Sequence, residues 1–66
     1  MDLVTEALQN FSRRYIREDG IMDANIAQKK LEEFQPHFRN DKIFQDCFEI
    51  CFNIELCKFK LEQKEA

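Results

Sequence analysis

The 66-residue sequence predicts an all-α protein, either a small three-helix bundle or a helical hairpin followed by a long third helix. Apolar residues recur at spacings of three and four in each of three segments, which is the signature of one buried helix face. The chain holds one glycine and one proline, so few positions are available for the turns a sheet requires. Capping residues precede each segment, with Asp2, Asp23 and the pair Asn40 and Asp41 in the places where side-chain oxygens satisfy free helix amides. No linker separates two cores, so residues 1–66 form one domain.

The first helix is expected over about 3–18. Val4, Leu8, Phe11 and Tyr15 make its stripe, and Arg13, Arg14 and Arg17 suit the negative end of its dipole. Gly20 follows, free to take the left-handed conformation that closes a helix. The second helix is expected over about 23–35, with Ala27, Leu31, Phe34 and Phe38 on one face. Pro36 lacks an amide hydrogen and biases Gln35 away from helical geometry, so the regular helix ends there.

The third segment supports two patterns. Phe48, Ile50, Phe52, Ile54 and Leu56 alternate with more polar neighbours, the period of a half-buried strand, which keeps an α+β fold with residues 48–61 as a strand in play. Against it, Ile43, Cys47, Ile50, Ile54, Cys57 and Leu61 hold a four-three-four-three-four spacing that only a helix explains. A strand would also have to run far beyond the usual length of about 3–10 residues. A helix over about 41–62 is therefore expected.

That helix is apolar around much of its circumference. The stripe from Ile43 to Leu61 is expected to pack on the first two helices. Phe44, Phe48, Cys51, Phe52, Leu56 and Phe59 are then either a ridge that another protein or a second copy of the chain would cover, or further core. Short domains need such help, because a core of this size supplies only a few kcal/mol.

Ten basic against thirteen acidic residues give a net charge of −3, which opposes nucleic-acid binding. No apolar run reaches the roughly 18 residues of a membrane span. The three cysteines, an odd number, and the absence of a signal-peptide pattern at Met1 point to a reducing, cytoplasmic setting. Cys47, Cys51 and Cys57 with His37 supply four atoms for zinc in principle, but they lack the tight C-x2-C pairs of structural sites. A metal-stabilised domain is the lesser alternative, and no cofactor or metal is expected. Catalytic motifs are absent: the single histidine, His37, has no nucleophile and orienting acid set around it in a known pattern, and one glycine excludes a phosphate loop. The residues thus describe a non-enzymatic interaction module, a small regulator or inhibitor, with a structural homodimer as the alternative.

Tyr15 and Ile16, then Asp23 and Ala24, then the run from Leu31 to Leu61 resemble the helical hairpins of tetratricopeptide-like regulators, nearest the amino-terminal three-helix segment of the Rap-type response-regulator phosphatases. The resemblance implies a helical regulator that binds a response regulator. In that family phosphatase activity depends on a glutamine at the start of the third helix. Lys42 stands at the matching position, so that chemistry does not carry over.

Overall fold

The computed structural model describes residues 3–65, the side chain of Glu65 excepted, and resolves three α-helices: α1 (Leu3–Arg17), α2 (Ala24–Phe34) and α3 (Lys42–Glu65). A short 3₁₀ helix, Pro36–Asn40, joins α2 to α3. No strand occurs among the described residues, so residues 48–61 are helix and the period-two pattern there is incidental. Asp2, the expected cap of α1, lies outside the described residues.

Local chemistry sets each boundary. Gly20 adopts a φ of 68°, and the Ile21 amide donates back to the Tyr15 carbonyl at 3.1 Å across it. Asp23 caps α2, its carboxylate accepting from the Asn25 amide at 2.8 Å. Pro36 sits at the start of the 3₁₀ turn, where its missing amide hydrogen costs nothing. Asp41 caps α3 by accepting from the Phe44 amide at 3.0 Å. The Gln45 side chain donates to the carbonyls of Phe38 and Arg39 at 2.7 and 3.0 Å, fastening the turn to the first coil of α3.

α3 is the organising element, packed on α1 along most of α1's length and on α2 and the 3₁₀ turn along its own flank. The core joins Leu8, Tyr15 and Ile16 of α1, Ile21 of the following loop, Ala27 and Leu31 of α2, Phe38 of the turn, and Phe48, Cys51 and Phe52 of α3. Ser12 is fully buried in α1 and returns its hydroxyl to the Leu8 carbonyl at 2.8 Å, so a small polar residue fills a core position without an orphaned donor. Three expected stripe residues face outward instead: Val4 and Phe11 are partly exposed and Phe34 strongly so.

The orientation of α3 corrects the sequence reading. Phe48 and Phe52 are completely enclosed and Cys51 nearly so, while Phe44, Leu56 and Phe59 are half-buried against the same core. The expected partner-binding ridge of Phe44, Phe48, Cys51, Phe52, Leu56 and Phe59 is therefore the inner face of α3. The expected inner stripe is the outer face. Area decides the exchange: a buried Phe removes about 150–250 Å² from water, more than an isoleucine can, and a short chain gains most by enclosing its rings. α1 also supplies charges to this side, with Arg13 reaching Glu55 at 3.4 Å and Arg17 reaching Glu62 at 2.6 Å while its guanidinium carbon lies 5.3 Å from the Phe59 ring centroid.

Candidate interaction surface

At about 100° per residue, Ile43, Cys47, Ile50, Ile54, Cys57 and Leu61 fall within an arc of about 80° on the side of α3 away from Phe48, Phe52 and Phe59. Their exposure is high for apolar residues: Ile43 is 78%, Ile50 60%, Ile54 46% and Leu61 59% accessible. Cys47 and Cys57 are exposed beside them. From Ile43 to Leu61 the stripe runs about 27 Å at 1.5 Å per residue. Ile50, Ile54, Cys57 and Leu61, with Asn53 and Lys58 at the sides, line a shallow trough along it.

The seam has polar banks. Asp46, Asn53 and Lys60 lie along one side, all exposed. Lys58 lies on the other, its ammonium 3.8 Å from the buried Glu55 carboxylate. At its amino end the seam continues onto α1, where Val4, Thr5 and Leu8 meet Ile43, Phe44 and Cys47 across a second hollow.

The cysteines divide by face. Cys51 is buried, and burial first, with Cys47 and Glu55 nearby adding to it, pushes its thiol pKa above the ordinary value. All three are free thiols, and among the described residues no group of three or more His, Cys, Asp or Glu is placed to hold a metal ion. His37 is exposed in the 3₁₀ turn, its ring tilted against Phe38. Among the described residues no helix is long and apolar enough to cross a membrane.

A separate apolar cleft lies between α1 and the end of α2, lined by Val4, Ala7 and Phe11 with Leu31, Phe38 and Phe44. Its walls are mostly hydrocarbon, with Gln35 and His37 at the edge as its polar side chains. Next to it, Phe11, Tyr15 and Phe34 border a hollow edged by Arg14 and Asp19. The Tyr15 hydroxyl is buried there with no hydrogen-bond partner among the described residues, and burial raises its pKa.

No family model matches the chain, and comparison with curated protein sequences and with solved structures returns no match. Function has to be read from the surface itself. The sequence singles out both apolar arcs of α3 and leaves the phenylalanine arc as either ridge or core; the fold makes it core. Glu55, a carboxylate inside the phenylalanine arc, points the wrong way in the sequence because its partner Arg13 is visible only in the fold.

Proposed function

We propose that the chain is a non-enzymatic protein–protein interaction module, a small regulator or inhibitor that docks through the outward face of α3. One observation carries this reading: four aliphatic residues, Ile43, Ile50, Ile54 and Leu61, stand open to water in a continuous helical row. Isolated surface aliphatics are ordinary, but a contiguous apolar row with polar banks is the form of a helix-docking face. Evolutionary drift toward such a row is opposed by its aggregation risk. The free thiols of Cys47 and Cys57 in that row suit a reducing, cytoplasmic environment.

Affinity capture from the source organism's extract tests the reading. Ile54→Asp places a charge in the row, and Met22→Ser removes an exposed apolar side chain away from it. Proteins retained by the unmodified chain and by Met22→Ser, but lost with Ile54→Asp, support docking through α3. Equal retention by all three chains overturns it.

A further inference from the structure

We infer that the occupant of the α3 seam is a second copy of the same chain, paired antiparallel across a two-fold axis that passes between the levels of Ile50 and Ile54. The inference rests on the docking role proposed for that face and specifies its partner.

The seam has the alternating three-four spacing of a knobs-into-holes helix pair, so its six positions act as core layers once another helix is laid along them. Its order of side chains is the same read in either direction by size: Ile43, Cys47, Ile50, then Ile54, Cys57, Leu61. Rotating one copy by a half turn about the midpoint sets Ile43 against Leu61, Cys47 against Cys57 and Ile50 against Ile54, each layer occurring twice. Large residues meet large and small meet small in every layer.

The banks decide the direction. Asp46, Asn53 and Lys60 are seven residues apart on one side of the seam, so the half turn brings Asp46 beside Lys60 of the second copy, twice, and Asn53 beside its own counterpart on the axis. Opposite charges flank both ends, and the amide of Asn53 both donates and accepts. A parallel pair in register would instead set Asp46 toward Cys51 and leave it no cation on that bank. Within one copy Asp46 pairs with Lys42 at 3.1 Å, with both side chains more than half exposed, and giving up such a surface pair costs little. Antiparallel pairing also sets the two helix dipoles head to tail.

Sedimentation equilibrium of the unmodified chain at micromolar concentration is expected to give twice the 8.0 kDa chain mass. Asp46→Lys is expected to weaken the dimer about tenfold at low salt, and Asp46→Lys combined with Lys60→Asp to restore it, with each change larger at low than at high ionic strength. Direction is read by cross-linking with a short bis-maleimide in a Cys51→Ala background. Chains with Cys57→Ser and chains with Cys47→Ser should each fail to cross-link alone and should link when mixed. Should Cys51→Ala prevent folding, seen as lost helical circular dichroism, the charge exchange in the otherwise unmodified chain carries the test by itself. Cross-linking of either single set with itself, or absence of charge-exchange rescue, overturns the antiparallel pair. A chain that stays monomeric to hundreds of micromolar overturns self-association, while extract partners captured through Ile54 would still uphold the docking role.

Discussion

Arg13 lies over Glu55, its Nη2 3.4 Å from a carboxylate that is only 4% exposed, and this contact ties helices whose residues are 42 positions apart in sequence. Lys58 adds a second cation at 3.8 Å. The arginine itself is about half exposed, so the pair sits at the edge of the core and solvent weakens it.

Arg13→Ala should therefore cost about 1–2 kcal/mol, less than the loss of one member of a fully enclosed pair, because water and Lys58 can still reach the carboxylate. The exposed Arg14–Glu18 pair at the carboxyl end of α1 is a fitting control, since Arg14→Ala should change stability by no more than about 0.5 kcal/mol. Urea denaturation followed by circular dichroism measures both. Equal effects would show that Glu55 is not relying on Arg13.

The two faces of α3 should respond in opposite ways to substitution. Phe52→Ala empties a fully enclosed position and is expected to cost about 3–5 kcal/mol, enough to unfold much of a domain this small at room temperature. Ile50→Ser removes an exposed side chain and should leave the stability of a single copy within about 0.5 kcal/mol while lowering any association. Thermal melts at submicromolar concentration, where single copies prevail, distinguish the two. A destabilised Ile50→Ser monomer would mean that the outer row contributes to folding.

Helix existence was legible because it depends on local features: the spacing of Leu8, Leu31 and Phe48 with their neighbours, the cap residues Asp23 and Asp41, and the breaks at Gly20 and Pro36. The rotation of α3 was not. Both of its arcs have helical spacing, and periodicity cannot rank a phenylalanine arc against an isoleucine arc. Glu55 within the former reads as a surface residue until Arg13 is known to face it. Ser12 was overlooked for the same reason, since its burial depends on the internal bond to Leu8 rather than on its own polarity. The outward row itself was read correctly as a row and assigned to the wrong neighbour.

Tyr15 should make the fold sensitive to alkali. Its hydroxyl is buried without a partner among the described residues, and its pKa is raised chiefly by burial and then by Asp19. A raised folded-state value means the neutral form is favoured by folding. The associated stability is complete below the ordinary value of 10.0 and is lost as pH rises through the higher folded value. Cys51 acts with the same sign from its ordinary value of 9.0. Tyr15→Phe removes both the orphaned hydroxyl and its ionisation, so it should leave stability unchanged or raise it by about 1 kcal/mol at neutral pH and flatten its decline above pH 10. Because Tyr15 is the one tyrosine and tryptophan is lacking, the tyrosinate absorbance band follows this group alone. An alkaline transition unchanged in Tyr15→Phe would show that Tyr15 does not drive it.

Thiol labelling should follow the two-faced geometry of α3. The thiolate is the reacting form, and Cys51 is both enclosed and shifted upward, first by burial and then by Cys47 and Glu55, so it forms little thiolate near neutral pH. Cys47 and Cys57 stand exposed in the outward row and should be alkylated first. Mass spectrometry after brief iodoacetamide treatment at submicromolar chain concentration should find two modifications before a third, with Cys51 last and its modification tracking global unfolding in urea. At concentrations where a second copy covers the row, Cys47 and Cys57 should slow while Cys51 keeps its rate. Early labelling of Cys51 at low concentration would mean that α3 presents its phenylalanine face to solvent after all.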